Sequence, residues 1–163
     1  AFPVNFHQRL SETLAHADVP VLCNHCDRAP CVRVCPTQAT WRREDGIIMM
    51  DMHRCIGCRY CIIACPYGSR SFNFRDPRDG LESIEIGYPT RMRGVVEKCN
   101  FCAERLARNE IPACVESFGN NGPLLFGDLS DESSTVRVAL RDRFTIRRKP
   151  ELGTDPHVFY IIG

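Results

Sequence analysis

A run of four cysteines within eleven residues limits what this chain can fold into more than any other feature. Cys55, Cys58, Cys61 and Cys65 follow the spacing C-x2-C-x2-C-x3-C, and Pro66 comes directly after the last of them. So short a loop can curl around one object and present three thiolates to it from one side. The fold must therefore accommodate whatever these thiols bind.

A second cysteine group precedes this run and ends in the same way. It consists of Cys23, Cys26, Cys31 and Cys35. Both groups end in C-x3-C-P and their last cysteines are thirty residues apart, so the two groups form an internal repeat. Between them, Asp45-Gly46 separates two extended runs and predicts a hairpin. The repeat unit is predicted to be a cysteine loop, a short helix after the proline, the hairpin and the next cysteine loop.

Three kinds of site compete for the eleven cysteines of the chain: disulfides, zinc ions and iron–sulfur clusters. Disulfides fit poorly, because the number is odd and 163 residues exceed the usual small, stapled, secreted domain. Zinc more often uses two separated C-x2-C pairs to make one tetrahedral site. The spacing C-x2-C-x2-C-x3-C-P is that of bacterial ferredoxins, so it favours iron–sulfur clusters.

In two-cluster ferredoxins the cysteine before the proline ligates the other cluster. The repeat can supply this exchange in both directions. One 4Fe-4S cluster is therefore expected on Cys23, Cys26, Cys31 and Cys65. The second 4Fe-4S cluster is expected on Cys55, Cys58, Cys61 and Cys35.

A third group contributes only three thiols. These are Cys99, Cys102 and Cys114, and no cysteine follows them. A fourth ligand could come from outside the residues shown or from His7 or His16, or the site could hold a 3Fe-4S cluster. The residues alone leave these three interpretations open. The expected cofactors are thus three iron–sulfur clusters, two of them 4Fe-4S and the third 4Fe-4S, or 3Fe-4S without a fourth ligand.

Together with the rest of the sequence, these patterns predict an α+β fold. In it, tandem ferredoxin-like repeats with short helices and hairpins are wrapped around the clusters. An amphipathic helix is predicted within residues 131–143 with Phe144 on its apolar side, then a linker over 150–156 and a strand over 158–162. The predicted segments are an N-terminal segment (1–20), a two-cluster core (21–74), a surface insertion (75–94), the third cysteine group (95–118) and a C-terminal helix and strand packing on the core (119–163).

Charge and hydropathy narrow the possible partners. The formal net charge is +1, which gives no support for nucleic-acid binding. No apolar run approaches the roughly 18 residues of a transmembrane helix, so none is expected.

Five cations within or beside the cysteine loops could stabilise a reduced cluster, and His25 could donate a hydrogen bond to a sulfur. Those cations are Arg28, Arg33, Arg54, Arg59 and Lys98.

The motifs CNHCDRAPCVRVCPTQAT, DMHRCIGCRYCIIACPYGSRSF and VVEKCNFCAERLARNEIPACVE, with FGDLSD after them, resemble a known family. It comprises the ferredoxin-type electron-transfer subunits of membrane-bound respiratory complexes, such as polysulfide, dimethyl sulfoxide, tetrathionate and nitrite reductases and formate dehydrogenase. The runs RSFNFRDPR, YPTRMRGVVEKCNFC and RRKPELGTDPHVFYIIG look closest to the ferredoxin-like subunit of the membrane complex that accompanies dissimilatory sulfite reductase.

Two departures from the family pattern sharpen what the resemblance implies. Family members usually begin with another C-x2-C-x2-C-x3-C group, which is absent here, and their third group ends ACVExC where this chain has Phe118. In the family pairing, the cysteine at that position completes the cluster of the first group, so Phe118 implies that this cluster is missing. The last cysteine of the absent group would complete the third site. The resemblance thus implies upstream residues, a fourth ligand among them, and three clusters.

The resemblance also implies a function without catalysis. Such a subunit relays electrons between a quinone- or cytochrome-linked membrane subunit and another redox partner, takes no small-molecule substrate, and lies peripherally on a membrane complex, commonly on the periplasmic face. Two alternatives are a feeder of electrons to a molybdopterin oxidoreductase and, from a different class, a zinc-stabilised interaction module.

Overall fold

The computed structural model describes residues 20–84, 86–119 and 122–162. His7 and His16, the two histidines considered as a fourth ligand, lie outside this range. Every element of the described chain is short. The helices are Pro30–Arg33 (α1), Tyr60–Ile63 (α2), Ala103–Leu106 (α3), Ala113–Glu116 (α4) and Thr135–Asp142 (α5), with a 3₁₀ turn at Pro150–Leu152. The strands are Thr40–Arg42 (β1), Ile48–Met50 (β2), Ser71–Phe72 (β3), Val96–Glu97 (β4), Thr145–Ile146 (β5) and Tyr160–Ile161 (β6).

The predicted hairpin at Asp45-Gly46 is confirmed. Strands β1 and β2 pair antiparallel, with Trp41 opposite Met49. Gly46 has a φ of +83°, a left-handed conformation that glycine adopts without steric cost. The Asp45 carboxylate accepts a hydrogen bond from the backbone N–H of Ile47 at 3.2 Å and closes the turn. The turn of the hairpin therefore follows from local chemistry.

The predicted helix after Pro36 is wrong, because helix α1 lies before that proline. Pro30 occupies the first turn of α1, where its fixed φ favours the helix and its missing N–H costs nothing. The helix ends at Arg33, two residues before Cys35, whose backbone is restricted by the proline after it. Helix α2 begins thirty residues after α1 and contacts it. Each helix thus lies inside a cysteine group.

A second antiparallel pair, β3 with β4, brings Phe72 opposite Val96 across the segment that was predicted to be an insertion. None of the described residues in 75–84 and 86–94 is buried. Asn73 closes the base of the segment, because its backbone N–H donates to Val95 and its carbonyl accepts from the N–H of Gly94. The insertion therefore leaves and rejoins the core at one place.

The C-terminal helix is shorter than its apolar pattern predicts. Helix α5 begins after Ser134, whose hydroxyl accepts from the backbone N–H of Arg137 at 3.3 Å and acts as the N-cap. Phe144 lies beyond the end of α5 and is 71% exposed, so its predicted place on the apolar side is wrong. The predicted C-terminal strand is confirmed as β6, which pairs with β5.

The segment 150–156 is not the free linker predicted from its prolines and glycine. The backbone N–H groups of Asp27 and Arg28 donate to the carbonyls of Asp155 and Thr154 at 2.9 and 3.1 Å. Thr154 is 4% exposed. A loop can be buried in this way only when its polar backbone groups find partners, and here they find them on the first cysteine loop.

The core of the described chain is built on the cysteine loops. Its buried members are Cys26, Ala29, Cys31, Ile48, Cys61, Tyr67 and Val96. Neither helix α5 nor the sheet formed by β5 and β6 contributes a residue to this buried cluster. No helix among the described residues has both the length and the apolar character needed to cross a membrane.

Candidate iron–sulfur sites

Two cavities lie among the cysteine side chains. The first encloses about 300 Å³ of atom-free space, part of it open to solvent, and its thiols are Cys35, Cys55, Cys58 and Cys61. The second encloses about 320 Å³, and its thiols are Cys23, Cys26, Cys31 and Cys65. Each cavity therefore takes three thiols from one loop and the thiol before the proline from the other loop. This is the grouping that the spacing predicts, and the role of these thiols as cluster ligands remains a prediction.

Left-handed backbone residues curl the loops around the cavities. In the loop after Cys55, Gly57 has a φ of +70° and Arg59 a φ of +63°. A side chain at Gly57 would collide with the carbonyl oxygen of Gly94. The curl turns the N–H of Gly57 toward the Cys55 sulfur at 3.4 Å. Hydrogen bonds of this kind tune the potential of a cluster that the sulfur holds.

The third cysteine group repeats this local geometry. Phe101 and Cys102 have φ values of 55° and 51°, and the N–H of Phe101 points at the Cys99 sulfur at 3.5 Å. Cys114 lies on helix α4 and is exposed. Helices α3 and α4 are tied together by Arg105, which donates to the carboxylate of Glu116 at 2.6 Å. The described residues thus supply a third curled loop with an exposed thiol nearby.

Burial makes the thiolate form of several of these cysteines unfavourable without a metal. It raises the pKa of Cys23, Cys61 and Cys99 and raises that of Cys26 to about 11. Burial alone would also raise the pKa of Cys35, but hydrogen bonds from the backbone of Thr40 and from Thr37 outweigh it and lower the pKa. A metal bound at these sites would therefore displace protons from the thiols, because the thiolate is the form that ligates.

Of the five cations that the sequence singled out, Lys98 is half-buried and the other four are exposed. Its ammonium donates to the carbonyls of Ile48 and Cys99, the latter at 2.8 Å, and burial lowers its pKa. Arg28 and Arg54 form exposed ion pairs with aspartates, Arg33 is exposed, and Arg59 lies over the ring of Phe72. These four arginines therefore belong to the surface.

The backbone of His25 hydrogen-bonds the Cys23 thiol, whereas its imidazole makes no hydrogen bond to a cysteine sulfur among the described residues. Its Nδ1 accepts from the backbone N–H of Ile48 at 3.1 Å, and its ring stacks on Phe101 at 3.6 Å. Burial and the charge of Lys98 lower its pKa to about 2, so the imidazole is neutral. His25 therefore joins the first and third cysteine loops to the hairpin.

Arg70 is the buried cation that the sequence interpretation missed. It is 7% exposed, lines the second cavity, and donates to the hydroxyl of Thr40 at 3.3 Å. Burial would lower its pKa, but the nearby thiolate charges of Cys31 and Cys61 raise it. The sequence holds one indication that Arg70 belongs to the core: it lies thirty residues after Thr40 and so occupies the equivalent position in the repeat.

The hydroxyl of Tyr67, at the wall of the second cavity, lies 2.5 Å from that of Thr154 and so ties the C-terminal segment to this site.

The donor set fits a polynuclear cluster better than a single ion. A zinc site needs four ligand atoms about 2.0–2.3 Å from one point. Across residues 20–84, 86–119 and 122–162, no three His, Cys, Asp or Glu side chains converge in that way. Four thiols lie around each cavity, and the second cavity is also lined by Asn24 and Arg70, each of which has a buried polar atom without a hydrogen-bond partner; this lining matches a larger sulfur-rich group.

Comparison with known proteins leads to the same chemistry. The sequence profile of the 4Fe-4S dicluster domain matches residues 15–78. The arsenate respiratory reductase iron–sulfur subunit of Shewanella sp. is 37% identical over 174 aligned positions, which cover 88% of this chain and 74% of that protein. The chain belongs to the family of iron–sulfur subunits of respiratory oxidoreductases.

Other members of this family are similar over nearly the whole chain. Iron–sulfur subunit 1 of the Hdr-like menaquinol oxidoreductase of Archaeoglobus fulgidus is 51% identical over 87% of this chain and 56% of its own length. A tetrathionate reductase subunit of Salmonella typhimurium is 42% identical over 93% of this chain and 54% of its own length. The chain thus spans little more than half the length of these two relatives.

Proposed function

We propose that this chain is a non-catalytic electron-transfer subunit that passes single electrons through three iron–sulfur clusters within a respiratory complex. The observation that carries the proposal is the pair of thiol-lined cavities, in which Cys35 and Cys65 are exchanged between two cysteine loops. Two tandem ferredoxin-like repeats, with helices α1 and α2 in equivalent positions, account for this exchange.

The proposed ligands follow the cavities. Cys23, Cys26, Cys31 and Cys65 would hold one 4Fe-4S cluster, and Cys55, Cys58, Cys61 and Cys35 the second. Cys99, Cys102 and Cys114 would hold the third, with a fourth ligand from outside the residues shown. When bound, such clusters supply one-electron redox chemistry.

The protein around the cavities has two tasks: it excludes water and it keeps the two sites close. Cys31 and Cys61, one from each cavity, are both buried in the core, and their helices contact each other. The hydrogen bond from Arg70 to Thr40 joins the walls of the two cavities. An electron can therefore pass between the two sites through packed protein.

The proposed partners are an integral-membrane, quinone-interacting subunit and a cytochrome or other redox subunit, with the chain bound peripherally on the periplasmic face. The Archaeoglobus relative is named for a menaquinol oxidoreductase, which supports a quinone link. A role in sulfur or sulfite metabolism is the finer proposal. The name of the tetrathionate reductase relative favours a second candidate, in which the chain feeds a catalytic molybdopterin subunit of a reductase.

The test is spectroscopy and analysis of the protein purified anaerobically with its partner subunits. We expect a brown protein whose broad visible absorption bleaches on reduction. Once the iron and sulfide of the partner subunits are subtracted, roughly twelve iron and twelve sulfide per chain should remain, as three 4Fe-4S clusters require. A colourless, zinc-loaded protein would contradict the proposal. A 3Fe-4S signal in the oxidised protein would contradict a fourth ligand at the third site. Roughly sixteen iron per chain would mean four clusters and would contradict the inference from Phe118 that one cluster of the family is missing. A co-purifying molybdopterin subunit would favour the second candidate.

A further inference from the structure

The side chain of Arg70 lies between the two thiol-lined cavities. It lines the second cavity, while the two groups that its Nη1 approaches, the Thr40 hydroxyl at 3.3 Å and the Met50 sulfur at 3.9 Å, belong to residues lining the first. The charges that act on it most strongly are those of Cys31 and Cys61, one from each cavity. One buried guanidinium therefore faces both proposed cluster sites.

No carboxylate of the described residues forms an ion pair with Arg70. Its Nη2 is buried without a hydrogen-bond partner. A buried charge without a counter-charge is strongly unfavourable. The nearest candidates for the missing negative charge are the cysteine sulfurs of the two cavities, once they are deprotonated and hold metal.

The internal repeat explains why this charge occurs once and not twice. Thr40 and Arg70 occupy the same position in the two repeats, five residues after Cys35 and Cys65 respectively. The two side chains meet, and one of them is neutral. Two arginines here would place two positive charges in contact, so the repeat leaves room for a single cation shared by both sites.

We propose that Arg70 sets the reduction potential of the two clusters by holding its positive charge between them, an inference that rests on the proposed function. Reduction adds one negative charge to a cluster whose net charge is already negative. A fixed cation close by stabilises the reduced form more than the oxidised form and so raises the potential. Burial keeps water and salt from screening this effect.

The test compares three variants of the protein purified with its partners: Arg70→Gln, Arg70→Lys and, as a matched control, Arg33→Gln. Arg33 lies on helix α1 two residues after the proposed ligand Cys31, is exposed, and is not among the residues that line either cavity. Each variant is assayed for iron and sulfide content and then titrated with electron paramagnetic resonance as the readout of potential.

We expect Arg70→Gln to keep its iron and to lower the equilibrium constant for reduction of at least one of the two clusters about tenfold or more, which is a shift of about 59 mV to more negative potential for one electron. Arg70→Lys keeps the charge and should shift the potential less. Arg33→Gln should leave both potentials at their wild-type values.

Unchanged potentials in an iron-replete Arg70→Gln variant would overturn the inference, as would an equal shift in the Arg33→Gln control. If Arg70→Gln loses its iron, Arg70→Lys decides: retention of iron supports a requirement for charge, and loss of iron in this variant too overturns it. Wild-type protein without clusters is a different result, because it contradicts the proposed function itself.

Discussion

Replacing Ile48 with alanine should destabilise the whole cysteine core. Ile48 is 1% exposed and packs in the buried cluster with Cys26, Cys31 and Cys61, which come from both cysteine groups. Its side chain also forms part of the wall of the second cavity. Alanine would leave a void that the surrounding loops cannot fill without moving the thiols.

The size of the effect follows from this burial. Truncating a fully buried isoleucine to alanine costs about 2–5 kcal/mol, and truncating it to valine costs about 0.5–1.5 kcal/mol. Ile63, on helix α2, is 84% exposed, so its replacement by alanine should change stability by no more than about 0.5 kcal/mol. Ile63→Ala is thus a control with the same chemical change at the surface of the same core.

The assay is the loss of cluster absorbance in urea, followed anaerobically. With a slope of about 1–3 kcal/mol per molar urea, Ile48→Ala should lower the apparent midpoint by about 1 M or more. Ile48→Val should lower it by a smaller amount and Ile63→Ala hardly at all. Equal midpoints for Ile48→Ala and Ile63→Ala would refute the view that one core holds both cysteine groups.

Three further predictions concern the edges of the sites. Gly57→Ala should lower stability and iron content more than Gly68→Ala: both glycines have positive φ, which costs alanine about 1–2 kcal/mol of strain, but only at Gly57 would the new methyl group also meet a backbone oxygen. Iron content and urea midpoints of the two variants check this. Thr154→Val should cost about 1–3 kcal/mol, since it leaves a buried tyrosine hydroxyl unpaired, and differential scanning calorimetry measures it. Hydrogen bonds from Arg78 lower the pKa of Asp76 to about 2, so their contribution to the stability of the folded state is complete above the ordinary pKa of 3.8 and is lost as pH falls through 2. An NMR titration in which Asp76 titrates near 3.8 would contradict this.

Local patterns in the sequence predicted local structure well. The Asp45-Gly46 hairpin and strand β6 follow from turn chemistry and residue type, which act within a few residues. The cysteine spacing likewise grouped the thiols that the structure brings together. The position of helix α1 was wrong because Pro30 starts a helix inside the loop, a local signal that the interpretation overlooked.

Contacts between distant parts of the chain could not be predicted in this way. Residues 150–156 have the composition of a linker, and only the hydrogen bonds of Thr154 and Asp155 to the first cysteine loop show that they are part of the site. Arginine is mostly exposed in proteins, so Arg70 looked like any other surface arginine. Its burial places it against Thr40 and Met50 of the hairpin, which lie 30 and 20 residues away in the sequence.

The most direct test of the central claim is X-ray diffraction from the holoprotein at the iron absorption edge, where anomalous scattering locates each cluster. We predict that Cys65 lies on the same cluster as Cys26 and that Cys35 lies on the same cluster as Cys58. A map in which Cys35 and Cys26 share one cluster, or in which a single metal ion occupies either cavity, would contradict the claim.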